Sequence, residues 1–181
     1  MIIWAVVILA VIIFFVIGQY NNMIMQRNKC DYAWSQIDVI LKKRYDLIPN
    51  LVETVKAYAT HEKDIFEEVA RARSMMTSSQ GVESRAEAEN MLSGTLKTLF
   101  AVAENYPELK ANENFLKMQE DLEDIETKIS YQRQFYNDAV YAYNTMIQQF
   151  PGSVFAGMFH FAVKEYFKTP EEERENVRVK F

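Results

Sequence analysis

The sequence predicts an all-α protein, in which an N-terminal transmembrane helix continues into an elongated antiparallel bundle of three to four long helices, followed by an aromatic-rich C-terminal tail. Three observations carry that expectation. Met1 to Gly18 holds no charged or strongly polar side chain, and every Lys, Arg, Asp and Glu lies after Gln26. Beyond this stretch, apolar residues recur at alternating three- and four-residue spacings, the signature of helices that bury one stripe. No segment alternates with period two for long enough to build a sheet, Val177 to Phe181 being the nearest approach.

The anchor comes first. About 18 to 20 helical residues cross a hydrocarbon core of about 30 Å, so Ile2 to Gly18, extended by Gln19 and Tyr20, reads as a short membrane span. Ile2, Trp4, Phe14, Phe15 and Tyr20 are its expected lipid contacts, with Trp4 and Tyr20 where an interfacial aromatic belt would fall. A cleaved signal peptide would need a charged leading region and a small-residue cleavage site, and neither is present. Cys30 is no lipoprotein acceptor, since Arg27, Asn28 and Lys29 precede it. Arg27, Lys29, Lys42, Lys43 and Arg44 follow the span, which by the positive-inside rule holds the large domain in the cytoplasm. The nearest cation is nine residues beyond Gly18, so the bias is modest and the opposite orientation stays open. The chain thus divides into an anchor (1–20), a helical bundle (21–150) and a tail (151–181).

In the bundle, Trp34, Ile37, Leu41, Tyr45, Ile48, Val52, Val55, Tyr58 or Ala59, Ile65 or Phe66, and Val69 follow one ladder, interrupted only at Glu62. Pro49 lies inside it, and because the register survives the proline, a kink is expected rather than a break. Thr77 to Gly81 is a polar turn, after which Ser84 and Glu87 are spaced as a capping box. Leu92, Leu96, Leu99, Ala103 and Tyr106 carry the next stripe, which Pro107 ends or interrupts. The last long helix is expected from near Asn112, with Phe115, Leu122, Ile125, Ile129, Phe135 or Tyr136, Tyr143 and Phe150 on its ladder. Of these side chains, Trp34, Ile37, Leu41, Tyr45, Val52, Phe135 and Tyr143 are the expected bundle or oligomer interface.

Pro151-Gly152 breaks the pattern and opens the tail, whose candidate docking residues are Phe150, Phe155, Phe159, Phe161, Tyr166 and Phe167. Its apolar part is too short to span a bilayer. It folds back on its own bundle, docks on a neighbouring subunit, or enters the membrane interface. Pro170 is expected to cap a short helix over the acidic run Glu171 to Glu175.

Several chemistries are excluded or left without support. A net charge of -5 gives no basic footprint for nucleic acid. One cysteine excludes a disulfide framework, and two histidines leave little for a metal site. Neither histidine completes a Glu-x-x-His pair, and Ile65 stands where a zincin helix starting at His61 would need its second histidine. His61 reads as exposed or capping, and His160 as packed in the aromatic tail. No phosphate loop, dinucleotide fingerprint or nucleophile elbow is present, so no catalytic residue, cofactor or metal is expected. Lys42-Lys43-Arg44 lies about 36 Å along the helix from Gly18, beyond the reach of headgroups. It reads as solvated or paired with the acidic face Glu120, Asp121, Glu123, Asp124 and Glu126.

Four stretches together resemble the LemA family of bacterial membrane proteins. They are Ala33 to Val39, Arg44 to Lys56, Glu104 to Leu116, and Tyr143-Asn144 with Phe150-Pro151-Gly152. The resemblance implies one N-terminal transmembrane helix in the bacterial inner membrane and a long antiparallel helical domain. It implies no enzymatic activity and no catalytic residues. Members of the family are linked to the cell envelope and stress, some lie beside genes for membrane proteases or TPM-domain proteins, and one type serves magnetosome-membrane formation. A slender bundle has difficulty burying Trp34, Tyr45, Tyr58, Phe135, Tyr136, Tyr141 and Tyr143 alone, and surplus apolar surface marks interfaces. The leading expectation is therefore a self-associating scaffold whose partners are the lipid bilayer and further copies of itself. An adaptor for a membrane protease or another envelope protein is the alternative, and an enzyme a distant third.

Overall fold

The computed structural model describes residues 1–168. The expected helix over Glu171 to Glu175 and the alternation at Val177 to Phe181 lie outside the described residues. Within them the protein is all-helical, with no strand. The elements are α1 (Ile2–Lys56), α2 (Lys63–Ser78), α3 (Val82–Ala103), α4 (Pro107–Lys110), α5 (Glu113–Gln148) and α6 (Gly152–Met158). Two compact units are defined by their internal contacts. Met1–Gln36 joins with Gln132–Tyr166 in the first, and Ile37–Tyr131 joins with Phe167 and Lys168 in the second.

The second unit is an up-down-up-down helical bundle. Lys56 lies over the ring of Phe66 and Arg73 over that of Tyr45, so α2 runs antiparallel to α1. Asp38 pairs with Arg85 and Arg44 with Glu89, which sets α3 parallel to α1. Ser93 meets Glu126 while Phe100 meets Phe115, which returns α5 antiparallel to α3. Each helix buries a three-four stripe: Ile37, Leu41, Ile48, Leu51 and Val55 on α1, then Ile65, Val69, Ala72 and Met76 on α2. Leu92, Leu96 and Leu99 on α3 and Leu122, Ile125 and Ile129 on α5 complete the core. Each fully buried leucine or isoleucine contributes about 1.5–3 kcal/mol. The deepest positions of α1 in this unit include Arg44 and Leu51, with the expected Tyr45 and Val52 half-buried beside them.

Two local expectations are corrected. The ladder through Tyr58 and Glu62 does not run as one helix, because α1 stops at Lys56 and the chain turns before Lys63. That turn contains no glycine or proline and is held by tertiary contacts. Ala59 is fully buried, Asn112 Nδ2 donates to Tyr58 Oη at 3.1 Å, and the Tyr106 hydroxyl donates to Glu62 Oε1 at 3.0 Å. The capping box at Ser84 is also absent. Gly81 is the residue preceding α3, its φ of 85° is one that glycine adopts freely, and Ser84 lies inside the first turn. Pro49 sits within an unbroken α1. Pro107 opens α4 at a first-turn position, where its missing N–H is harmless. Asn112 then caps α5 by accepting the Phe115 N–H at 3.0 Å.

The first unit pairs the start of α1 with the end of α5. Met23, Cys30 and Ala33 on α1 are buried, as are Tyr136, Val140, Tyr143 and Ile147 on α5. Residues 2–17 are different. The span beginning at Ile2 is long and apolar enough to cross a membrane, and none of that stretch is buried in the protein. α6 follows α5 after Phe150 and Pro151, and the chain beyond α6 is irregular through Lys168.

Candidate functional site

The first unit gathers most of the expected surface residues. Ile2, Trp4, Phe14, Phe15 and Tyr20 are all exposed on α1. Three rings of the tail reach them. Phe155 meets Phe15 edge-on at 6.0 Å between centroids, and Tyr20 is flanked by Phe159 at 4.9 Å and Phe161 at 5.9 Å. The Arg27 guanidinium lies 5.5 Å from the Phe161 ring. Phe150 and Tyr166 are exposed, whereas Phe167, in the second unit, is buried.

Beyond α6 the tail forms a strap across α5, and polar side chains satisfy its backbone one group at a time. The Tyr143 hydroxyl donates to the Ala162 carbonyl at 3.0 Å and the Tyr136 hydroxyl to that of Glu165 at 2.9 Å. Asn144 both donates to the Lys164 carbonyl and accepts the Lys164 N–H, each at 2.9 Å, so its amide acts as a surrogate strand. The Lys164 ammonium closes the strap on Asp31 at 2.6 Å. Burial, with the Asp31 and Glu165 carboxylates adding to it, pushes the Tyr136 phenol up to about 12, and burial raises Tyr143 in the same sense. Burial also raises the Cys30 thiol against the opposing effect of Lys164, so this lone cysteine is protonated and unreactive at neutral pH.

His160 is exposed rather than packed among the aromatic rings, with a positive φ of 57°. It occupies the left-handed position that ends α6, and the Phe161 N–H reaches back to the Ala156 carbonyl at 2.9 Å, a Schellman closure. Trp34 is half-buried and packs on Tyr136 with centroids 5.6 Å apart. Phe135 and Tyr141 face outward, 55% and 65% exposed, and Tyr32 of α1 is 62% exposed.

The second unit holds a buried charge cluster that the sequence disclosed only in part. Arg44 Nη1 bonds Glu89, donates to Ser93 Oγ at 2.9 Å, and pairs with Glu126 Oε2 at 2.6 Å. Arg44 and Glu89 are almost wholly removed from water. Glu126 belongs to the acidic face expected to meet the basic cluster; Glu120 and Asp121 instead pair with Lys117, and Asp124 with Lys128, along α5 itself. Glu89 and Ser93 carried no signal, because Ala86-Glu87-Ala88-Glu89 reads as an ordinary solvated helix face. A cavity of about 220 Å³ borders the cluster, lined by Leu96, Phe100 and Leu122 among others. One of about 270 Å³ lies between α1, α2 and α3 beside Asp38, Tyr45 and Arg85. The guanidinium neutralises carboxylates that a metal would otherwise use. Among the described residues no group of three or more His, Cys, Asp or Glu is placed to hold a metal ion.

A long helix with a charge-free exposed start, followed by an antiparallel helical bundle, defines an all-helical protein with one helix, among the described residues, long and apolar enough to cross a membrane. The chain belongs to the LemA family, whose model matches residues 33–181. It is similar to magnetosome proteins MamQ 1 and MamQ 2 of Paramagnetospirillum magneticum, each 23% identical over 176 residues that cover 83% of this chain and 65% of the relative. It is likewise similar to magnetosome protein MamQ of Magnetospirillum gryphiswaldense, 23% identical over 82% of this chain and 64% of the relative. The chain thus spans just under two thirds of the length of these relatives.

Proposed function

We propose that the protein is a membrane-anchored, self-associating helical scaffold of the bacterial cell envelope, without catalytic activity, that organises or stabilises the inner membrane. Its span is Ile2 to Tyr20, and its bundle faces the cytoplasm, held there by the cations that follow the span. The observation that carries self-association is the aromatic surface left over once the helices have packed. Tyr32, Phe135 and Tyr141 stay more than half exposed in the first unit. Rigid aromatic side chains of this kind favour protein contacts at low entropic cost. The likeness to magnetosome proteins supports a membrane-associated role.

Cysteine cross-linking of the full chain in native membranes tests this. Phe135→Cys and Tyr141→Cys lie at exposed positions, and the unsubstituted chain, whose Cys30 is buried, is the blank. Mild oxidation is expected to give linked dimers from each single variant and a ladder of higher species from the double variant. Uniformly monomeric bands, with linkage to one foreign protein instead, would contradict self-association and favour the adaptor for a protease or stress partner.

A further inference from the structure

Resting on the anchor reading, we infer that α6 and the turns flanking it form a second membrane-contacting element, which lies in the headgroup and acyl boundary of one leaflet and binds interfacial lipid. The argument begins with level. α6 is docked against α1 between Phe15 and Met23: Phe155 is on Phe15, Phe159 is on Tyr20, and Gly152 lies beside the Met23 side chain. At 1.5 Å per residue, Phe15 is about 18 Å below Arg27 along the helix and about 5 Å below Gly18. If Ile2 to Gly18 occupies the hydrocarbon core, α6 must sit at its edge, at the depth of about 5–10 Å that interfacial helices reach.

Charge agrees with level. From Ala139 to Val163 the chain has no Asp, Glu, Lys or Arg, and α1 has none before Arg27. Charges resume on both elements together, with Arg27 over Phe161 and Asp31 bonded to Lys164. Those groups mark the water side. Below them the outward face is apolar: Phe150 is 84% exposed, Met158 62% and Val154 54%. This face is continuous with the bare apolar surface of Ile2 to Ile17, which the anchor reading already assigns to lipid. An occupant other than lipid would have to reach beneath the headgroups.

The test uses the full chain in phosphatidylcholine vesicles, with an environment-sensitive fluorophore on single introduced cysteines. Val154→Cys and Met158→Cys probe the proposal, Val11→Cys the span, and Thr98→Cys the aqueous bundle; the unsubstituted chain is the labelling blank. Emission at 154 and 158 is expected to shift to the blue and to be quenched by phosphatidylcholine carrying a shallow nitroxide. At 11, deep nitroxides should quench best, and at 98 neither should. Water-like, unquenched emission at 154 and 158 with normal quenching at 11 would overturn the inference and leave the anchor standing. A blue shift at 154 and 158 without lipid quenching would place a second copy there and also overturn it. Absence of quenching at 11 would remove the anchor and the inference with it.

Discussion

At the scale of single residues, Gly152 and Arg44 occupy places that no other side chain fills. A Cβ on Gly152 would drive into the Met146 carbonyl, which is backbone and cannot step aside, so Gly152→Ala separates α6 from α5. Overpacking of this kind costs about 1–3 kcal/mol or more, and limited proteolysis of the tail should reveal it as new cleavage beyond Phe150. The family motif at Phe150-Pro151-Gly152 was visible in the sequence, but its reason was not, because close approach of backbones leaves no local pattern. His160 gives the opposite sign. It holds a left-handed conformation that glycine adopts at no cost, so His160→Gly should leave the fold intact and raise stability by up to about 1 kcal/mol in thermal unfolding. At Arg44, substitution by Ala removes a cation from beside the buried Glu89 carboxylate and should cost about 3–5 kcal/mol. Lysine should restore part of the loss, since the contacts to Glu89, Ser93 and Glu126 all converge on Nη1 and an ammonium placed there carries three donors.

At the scale of elements, the strap is the part whose chemistry responds to pH. Tyr136 is pushed up to about 12 by burial, so the folded state keeps its proton while the unfolded chain loses it near its ordinary value of about 10. The stability so provided is complete below pH 10 and is lost between about pH 10 and 12, with Tyr143 acting in the same direction. Tm should therefore fall steeply across that window, and Tyr136→Phe should flatten the fall while costing about 1 kcal/mol at neutral pH through the lost bond to Glu165. An unchanged alkaline slope in that variant would assign the effect elsewhere. The strap itself could not be read from sequence, because it has no periodicity. The helices were legible where the three-four stripe was long, as in α5, whose start near Asn112 follows from its cap. The turn after Lys56 was not legible. Its residues continue the helical ladder and carry no breaker, and long-range bonds from Tyr106 and Asn112 decide the matter.

At the scale of the whole molecule, composition alone separated the apolar start of α1 from everything after Gln26, and in the fold none of that start is buried. Removing residues 1–20 should release the protein from membranes, whereas high salt should not extract the full chain, because burial of about 20 apolar residues does not depend on ionic screening. Flotation on a density gradient checks both. The proposed assembly rests on surface that the fold does not use, and that surface was legible only in outline. The sequence showed more aromatic rings than a thin bundle can bury, but which would stay outside depended on packing, with Tyr136 and Tyr143 turned in and Phe135 and Tyr141 turned out. The most direct test of the scaffold is the mass of the full chain in mild detergent, measured by light scattering beside a chain beginning at Asn21. A discrete oligomer larger than a dimer, which loses subunits when Phe135 and Tyr141 are both replaced by Ser, is the predicted result. A monomer whose mass is unchanged by those substitutions would contradict it.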